Sequence, residues 1–400
     1  MSDAWGANGK LNGNLKRIAV IGATGSVGSS VLDVCRSHRD RLEVVALAAG
    51  RDAEKIARLT GDFGGVRKVC LASPDAAASL AGKLPPAVRM LSGPKGLRDL
   101  AQDPEVDHVV FASSGTAAIE ALQVALRSGR EVSLANKESV VVAGAWVMPL
   151  VRRPDQLRPL DSEHNAIWQC LHGEERTPRK IYLTASGGPF RDRTPEELKG
   201  VTPEMALRHP VWNMGAKITV DSATLMNKGI ELIEAAFLFD LRPDQVEALI
   251  SPGSFVHGLV EFEDGCVKML GGEPDMRLPA ASCLFWPDRV IPGPDFPRPR
   301  PDGRKLSFDL ADEGRFPALR LAKEALRGGG ALPALLVGAD EVAVDRFLKK
   351  EIAFTAIADV VEETMTSYGN AAPRSLAEAL EVLEWARGRC AAICDGKRRF

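Results

Sequence analysis

Two stretches of this sequence carry carboxylates suited to binding a divalent metal ion. The segment DSEHN contains Asp161 and Glu163, and the segment MNKGIELIEA contains Glu231 and Glu234. Carboxylate oxygens are the ligands that hard cations such as Mg²⁺ and Mn²⁺ prefer. Extended backbone at DSE would point Asp161 and Glu163 to the same side, whereas a surface turn or a helix N-cap is the alternative. The sequence predicts a metal site whose third carboxylate is Glu231 or Glu234.

Groups suited to binding a phosphate lie close to these carboxylates in the sequence. Ser186 precedes two glycines, a combination that can wrap an anion with backbone N–H groups. Ser222, Asn227 and Lys228 add a hydroxyl, an amide and an ammonium group near the predicted start of a helix, which also favours an anion. Each group has a structural alternative, such as a helix cap or a solvated lysine. Their combination with SGG favours a phosphate site.

The loop between these groups is the segment HPVWNMG. His209, Trp212 and Met214 lie in it, and they predict a loop that closes over a bound substrate. The alternative for Trp212 is packing in the core. Met276, in the segment GEPDMR, is predicted either to meet a nicotinamide ring or to fill the core. For the nearby His164 we expect a structural role, because a hard oxygen site does not need an imidazole.

A glycine loop, GATGSVG, lies upstream at residues 22–28. It follows a predicted strand at residues 18–21 and precedes a predicted helix at residues 26–36, the context in which dinucleotide-binding loops occur. The spacing is GxxGxxG rather than GxGxxG, so a tight turn without a ligand is the alternative. After the next predicted strand come Arg51, which would favour NADP, and Asp52, which would favour NAD.

Composition limits the classes of function. The net charge of −2 argues against a nucleic-acid-binding protein. Seven scattered cysteines without a CxxC pair indicate reduced thiols. The longest apolar run, residues 140–151, is too short to span a bilayer. We therefore predict a cytoplasmic protein that contacts neither nucleic acid nor membrane.

The order of the predicted elements indicates an α/β protein. Predicted strands near residues 18–21, 43–50, 68–73, 106–115 and 131–136 alternate with helices, which is typical of a Rossmann-like parallel sheet. The middle third mixes strands and loops, including a predicted hairpin across EDG, and indicates an α+β domain. A proline-rich stretch precedes helical segments with apolar residues at i, i+3 and i+4, which predict a C-terminal helical bundle.

Several motifs, taken in order, resemble one family. GATGSVG, LANKESVV, DSEHNAIWQCL, ASGGPF, HPVWNMGAKITVDSATLMNKGIELIEA and GEPDMR are similar to segments of 1-deoxy-D-xylulose 5-phosphate reductoisomerases. The resemblance implies a homodimeric enzyme of the non-mevalonate isoprenoid pathway that uses NADPH and Mg²⁺, Mn²⁺ or Co²⁺. It would rearrange deoxyxylulose 5-phosphate by retro-aldol cleavage and re-addition, and reduce the product to 2-C-methyl-D-erythritol 4-phosphate.

The resemblance also implies a role for each site residue. The metal ligands would be Asp161, Glu163 and Glu231, with Lys137 and His209 as further catalytic groups. Substrate would contact Ser162, His209 and Trp212, and its phosphate would contact Ser186, Ser222, Asn227 and Lys228. The cofactor site would comprise Thr24, Gly25, Ser26, Val27, Gly50, Arg51, Asp52, Asn136, Glu138, Met214, Gly215 and Met276.

The implied domains are a disordered leader (1–15), an NADPH-binding domain (16–160), a catalytic and dimerisation domain (161–290), a linker (291–312) and a helical domain (313–400). The chain departs from the family pattern at Asp52, where asparagine is common, and at VGADEVAV, where NAANE is usual. Two other functions stay open: a plain NAD(P) dehydrogenase and an NADP-sensing module. Neither explains the carboxylates, and a semialdehyde dehydrogenase would also need a nucleophilic cysteine.

Overall fold

The computed structural model describes residues 15–80, 82–209, 215–300 and 302–397. The chain divides into two compact units, each built from three segments. The first unit comprises Met1–Asn136, Leu150–Asp161 and Asp275–Pro297, and the second comprises Lys137–Pro149, Ser162–Pro274 and Arg298–Phe400. Of the predicted leader, residues 1–14 lie outside the described residues.

The first unit contains a seven-stranded sheet with all neighbours parallel, in the order β4-β3-β2-β1-β5-β6-β7. This arrangement confirms the predicted Rossmann-like sheet. Its strands are β1 (Lys16–Ile21), β2 (Leu42–Ala49), β3 (Lys68–Leu71), β4 (Arg89–Ser92), β5 (His108–Phe111), β6 (Glu131–Leu134) and β7 (Leu157–Pro159).

The central strands are continuous apolar runs, whereas the two outer strands are not. The sequence of β5, HVVF, is fully buried, as expected for a parallel strand covered on both faces. The outermost strand β4 is half-exposed, and β7 has three residues and contains an arginine and a proline. Because neither has an apolar pattern, the sequence did not predict these two strands.

The second unit contains a five-stranded mixed sheet in the order β11-β10-β8-β9-β12. Its strands are β8 (Lys180–Ala185), β9 (Val246–Ile250), β10 (Val256–Glu261), β11 (Val267–Gly271) and β12 (Asp309–Leu310). The antiparallel pairing of β10 with β11 confirms the predicted hairpin across EDG. The sheet leaves β11 at one edge and β12 at the other.

Helices connect these strands and form the C-terminal region. Their bounds are α1 (Ser26–Ser37), α2 (Ala53–Asp62), α3 (Pro74–Leu80), α4 (Gly93–Ala101), α5 (Ile119–Arg127), α6 (Glu138–Val141), α7 (Gly144–Val147), α8 (Ser162–Leu171), α9 (Pro195–Leu198), α10 (Pro203–Ala206), α11 (Ala216–Thr224), α12 (Met226–Leu238), α13 (Arg277–Phe285), α14 (Pro317–Gly328), α15 (Leu332–Leu348), α16 (Ala356–Thr366) and α17 (Leu376–Lys397). Short 3₁₀ turns span Met148–Leu150 and Pro243–Gln245.

The last four helices confirm the predicted C-terminal helical region. They share one apolar core with α12 and with the five-stranded sheet. Among the described residues, every helix is too short or too polar to cross a bilayer.

A partly buried charge cluster ties together β1, β5, β6 and β7 of the parallel sheet. Glu131 on β6 receives hydrogen bonds from Lys16 (3.1 Å) and pairs with Arg158 at 3.2 Å. The His108 ring lies 3.2 Å from the same carboxylate. Lys16 also donates to the backbone oxygen of Leu284 (2.9 Å), which joins α13 to the sheet. The first unit is therefore held together by contacts far apart in sequence.

This cluster makes stability depend on pH. Burial lowers the pKa of His108 from its ordinary 6.5 to about 4. Below pH 6.5 the unfolded chain therefore binds a proton that the folded chain excludes, so acidification to pH 4 should lower the unfolding free energy by about 3 kcal/mol through this residue. Glu131 acts in the same direction, because its pKa is lowered by His108 and the neighbouring cations despite its burial.

Denaturant titrations between pH 7 and pH 4 measure this loss. His108→Gln removes the titrating ring, so the variant should lose less stability over that range than the wild type. An equal or larger loss in the variant would contradict the assignment to His108.

Candidate functional site

The predicted metal-binding segment lies at the start of a helix. Helix α8 begins at Ser162, so the interpretation of DSE as extended backbone is wrong and the helix-start alternative is the better one. The Ser162 hydroxyl donates to Glu163 Oε2 at 2.5 Å. Asp161 ends the first unit and is joined by its peptide bond to α8. Glu163 lies in the first turn, where the helix dipole favours negative charge.

A buried lysine joins Glu163 to Glu231. Lys228 Nζ donates to Glu163 Oε1 at 2.7 Å and also to Glu231 Oε2. Both Lys228 and Glu231 lie on α12 and are buried. Lys137 Nζ (3.1 Å) and Asn227 Nδ2 (2.5 Å) donate to the other oxygen of Glu231. Helices α8 and α12 are thus connected through two carboxylates and shared donors.

Charge balance explains why this cluster is stable in a buried place. Burial alone would lower the pKa of Lys228, but the charges of Glu163 and Glu231 outweigh burial and raise it. Lys228 therefore remains an ammonium group at neutral pH. Two carboxylates facing two ammonium groups leave little net charge, which a buried ionic cluster requires.

The residue pattern left Glu231 and Glu234 as equal candidates for the third carboxylate, and the structure gives them different partners. Glu231 meets Glu163 through Lys228, whereas Glu234, one turn later, lies 3.5 Å from Nδ1 of His164. The His164 ring is fully buried, and its Nε2 contacts the backbone oxygen of Glu231 at 2.9 Å. His164 thus supports the backbone that carries Glu231.

Two residues of the predicted phosphate site, Ser186 and Ser222, converge on His209, a predicted substrate contact. His209 Nε2 lies 3.1 Å from Ser222 Oγ and 3.4 Å from Ser186 Oγ. The Ser186 hydroxyl also accepts from the backbone N–H of Gly188 at 3.2 Å. Burial lowers the pKa of His209, so the ring is neutral at pH 7 and can accept as well as donate a hydrogen bond. Together, His209, Ser186 and Ser222 can form hydrogen bonds to several oxygens of an anionic ligand.

Two backbone features bring these residues together. Gly188 has a φ of +69°, and a Cβ there would lie 2.6 Å from the backbone oxygen of Ser222. The loop after β8 therefore lies so close to α11 that only glycine fits at position 188. Leu225, with a φ of +63°, forms the corner between α11 and α12. This corner places Ser222 and Lys228 on consecutive helices.

Arg191 is a contributor to this region that sequence reasoning missed. Its guanidinium donates to the backbone oxygen of Ser186 at 3.0 Å, and its side chain packs against Gly187. Arg315 in turn donates to the backbone oxygen of Arg191 at 2.8 Å. The available signal in the sequence was an arginine soon after a glycine pair. No local pattern points to Arg315, which is 124 residues away.

The glycine loop has the geometry of a close-packed turn between a strand and a helix. Gly22 has a φ of +91°, and a Cβ there would lie 2.4 Å from the backbone of Ala112. A Cβ on Gly28 would lie 2.2 Å from the oxygen of Gly22. Gly25 caps α1 without a side chain, which leaves the N–H groups of that helix end accessible. Of the predicted residues, Thr24 and Gly25 lie in this turn, and Ser26 and Val27 begin α1.

The remaining predicted cofactor residues are distributed over both units. Gly50 and Arg51 are exposed after β2, whereas Asp52 caps α2 by accepting from the backbone N–H of Lys55 at 2.9 Å. Asn136 is buried and donates to the backbone oxygens of Ser113 and Gly115, each at 2.8 Å. Partly buried Glu138 begins α6, exposed Gly215 precedes α11, and partly buried Met276 precedes α13. Trp212 and Met214 lie outside the described residues.

Comparison with known sequence families gives three matches that cover most of the chain. Residues 18–144 match 1-deoxy-D-xylulose 5-phosphate reductoisomerase. Residues 157–239 match the 1-deoxy-D-xylulose 5-phosphate reductoisomerase C-terminal domain, and residues 271–389 match the DXP reductoisomerase C-terminal domain.

Relatives that align over most of their length are also named 1-deoxy-D-xylulose 5-phosphate reductoisomerase. The chain is 44% identical over 383 residues to the reductoisomerase of Chlorobaculum tepidum, with 93% of this chain and 98% of that one aligned. It is 45% identical over 381 residues to that of Heliobacterium modesticaldum, with 93% and 96% aligned.

Solved structures of reductoisomerases are also similar to this chain. The reductoisomerase from Zymomonas mobilis in complex with NADPH has a TM-score of 0.87 and 39% identity, covering 95% of this chain and 99% of that one. A DOX-P reductoisomerase in complex with NADPH, fosmidomycin and magnesium has a TM-score of 0.86 and 36% identity, covering 95% and 98%.

The buried lysine provides a test of the charge balance. Lys228→Met should lower the unfolding free energy at pH 7 by about 3–5 kcal/mol, because it leaves Glu163 and Glu231 less compensated in a buried place. Lys349→Met, which removes an exposed partner of Asp345, is the control and should change stability by less than about 0.5 kcal/mol. Denaturant unfolding measures both. Equal losses in the two variants would show that Lys228 does not hold the cluster.

Proposed function

The chain belongs to the 1-deoxy-D-xylulose 5-phosphate reductoisomerase family, and we propose that Asp161, Glu163 and Glu231 form its metal site. The protein is accordingly an NADPH-dependent oxidoreductase that converts deoxyxylulose 5-phosphate to 2-C-methyl-D-erythritol 4-phosphate with a divalent metal. The observation that carries the residue assignment is the convergence of Glu163 and Glu231 on Lys228.

The donor set fits a hard divalent cation. Glu163 and Glu231 offer carboxylate oxygens held in place by Ser162, Lys137 and Asn227. Asp161 is two residues from Glu163 and adds a third carboxylate at the start of α8. A metal bound there supplies Lewis-acid polarisation of the substrate's carbonyl oxygen. Among the described residues, these donors are all oxygen, which suits Mg²⁺ or Mn²⁺.

The proposed phosphate site adjoins the carboxylates. Ser186, Ser222, Asn227 and Lys228 supply two hydroxyls, an amide and an ammonium group, while neutral His209 bridges the two serines. Because Asn227 and Lys228 also contact Glu231, phosphate binding is coupled to the placement of that carboxylate. Binding energy from the non-reacting phosphate can thus orient the reacting carbons.

Lys137 and Ser162 are proposed to contact the substrate. Lys137 lies beside Glu231, and Ser162 lies beside Glu163. Lys137 keeps further N–H donors for a substrate hydroxyl while it holds Glu231, and the Ser162 oxygen can accept from a substrate hydroxyl while its own O–H is donated to Glu163. Trp212, which lies outside the described residues, is proposed to cover the substrate.

NADPH is proposed to bind at the glycine loop and to supply the hydride. Thr24, Gly25, Ser26 and Val27 would hold its pyrophosphate at the start of α1. Exposed Arg51 is available for the 2′-phosphate, while Asp52 is engaged in capping α2. The remaining proposed cofactor contacts are Gly50, Asn136, Glu138, Met214, Gly215 and Met276.

The cysteines disfavour the semialdehyde-dehydrogenase alternative. Six of the seven are buried, and Cys266 lies exposed at the turn between β10 and β11. Burial raises the pKa of Cys35 and of Cys70 to about 12, so neither forms a thiolate nucleophile at neutral pH. Free thiols also suit a reducing compartment, which supports the proposed cytoplasmic location.

The assay is NADPH oxidation, followed by absorbance, with deoxyxylulose 5-phosphate and Mg²⁺ or Mn²⁺. Oxidation should stop when EDTA removes the metal. Glu231→Gln should lower kcat/KM by about a hundredfold or more, because it removes a charged metal ligand, with NADPH affinity unchanged.

Glu384→Gln, an exposed change on α17, is the control and should keep wild-type kinetics. Oxidation that persists both in EDTA and in Glu231→Gln would contradict the metal site and favour a plain dehydrogenase.

We propose a homodimer formed through β11. This strand is one of the two edge strands of the five-stranded sheet, and its Val267 and Met269 are 47% and 46% exposed. The two residues are two positions apart, so their side chains lie on the same face of the strand. An exposed apolar edge strand is a surface that natural proteins usually cover.

Sedimentation velocity tests this interface. The wild type should sediment as a dimer, and the double change Val267→Lys with Met269→Lys should produce monomers, because it places charge on the proposed contact. Leu310→Lys is a matched control, since Leu310 is an exposed apolar residue on β12 at the opposite edge. Dissociation by the control alone would place the interface at β12 instead.

A further inference from the structure

A buried charge triad lies in the second unit, outside the groups assigned above. Lys217, at the start of α11, donates to Asp221 Oδ2 at 2.6 Å and to Asp340 Oδ2 at 2.5 Å. Asp221 is one turn further along the same helix, whereas Asp340 lies on α15. Both carboxylates are buried, and 36% of the Lys217 side chain is exposed. Two acids thus enclose one ammonium group.

Burying these charges costs more free energy than a purely structural helix contact requires. Burial and the adjacent charge of Asp340 raise the pKa of Asp221 well above its usual range. Among the described residues, neither Asp221 Oδ1 nor Asp340 Oδ1 has a hydrogen-bond partner. An apolar trio would stabilise a helix contact at least as well, so the charges are better explained by the specific geometry that they impose.

The geometry fixed by the triad is that of α11. This helix packs against α15 and α12. Asp221 directly precedes Ser222, whose hydroxyl lies 3.1 Å from His209 Nε2. A shift or rotation of α11 would move Ser222 away from His209 and from Ser186. Through the corner at Leu225 it would also displace the start of α12.

We propose that Lys217 and Asp340 are positioning residues for the substrate phosphate. They hold α11 at a fixed distance from α15, so that the hydroxyl of Ser222 stays directed at the phosphate, and they do not contact the substrate. The proposal rests on the assignment of Ser222 to the phosphate site. It makes the C-terminal helices a part of the scaffold that sets substrate affinity.

The test is the kinetic comparison of Lys217→Met with wild-type enzyme. The KM for deoxyxylulose 5-phosphate should rise about tenfold while kcat falls less than about threefold, since the change loosens a binding group without removing a catalytic one. NADPH affinity should stay within about twofold, because the cofactor does not depend on Ser222. A purely structural role would instead reduce the active fraction, which lowers kcat and leaves KM unchanged.

Three further variants make the result decisive. Lys217→Arg keeps the cation and should restore the KM to within about threefold of the wild type. Asp340→Asn keeps the volume, should fold even where Lys217→Met does not, and should raise KM about threefold or more. Asp345→Asn removes an exposed carboxylate from the same helix and should leave KM unchanged.

The outcomes separate this proposal from the proposed function. Wild-type NADPH oxidation with deoxyxylulose 5-phosphate establishes the activity first. If that activity is present and both Lys217→Met and Asp340→Asn keep wild-type KM, the positioning role is overturned while the reductoisomerase function stands. A KM increase of equal size in Asp345→Asn would also overturn it.

Discussion

The ammonium group of Lys228, held between the carboxylates of Glu163 and Glu231, is the interaction on which the geometry of the site depends. It joins the first turn of α8 to α12, and its burial makes each of these charges require the others. Because Asn227 and Lys137 bind the remaining oxygen of Glu231, the carboxylate is held from three directions. The same residues that suit a phosphate therefore also orient a proposed metal ligand.

Close backbone approach is the second constraint. Gly188 lets the loop after β8 lie against α11, and the left-handed Leu225 turns the chain from α11 into α12. Both are local conformations, but they matter because they set where Ser222 lies relative to His209. The triad of Lys217, Asp221 and Asp340 joins α11 to α15. The proposed substrate-binding residues on short elements are thus held by long helices behind them.

Much of the fold could be predicted from the sequence, because the patterns that define it are local. Buried apolar runs alternating with amphipathic helices indicate a parallel sheet, and β1 with α1 follows that pattern directly. Strands β4 and β7 could not be predicted, because an exposed edge strand and a three-residue strand carry no apolar signal. The helical start of DSE was open for a similar reason: three polar residues suit a turn, a cap or a strand.

The sequence by itself determined the family, the order of the elements and the residue types available for chemistry, since its motifs are contiguous. Only the tertiary structure decided which groups meet. Glu231 and Glu234 are three residues apart on one helix, yet Glu231 meets Glu163 through Lys228, whereas Glu234 lies beside His164. Likewise, Lys16 reaches the backbone of Leu284 across 268 residues. Such pairings follow from the packing of whole elements, which no local pattern of residues encodes.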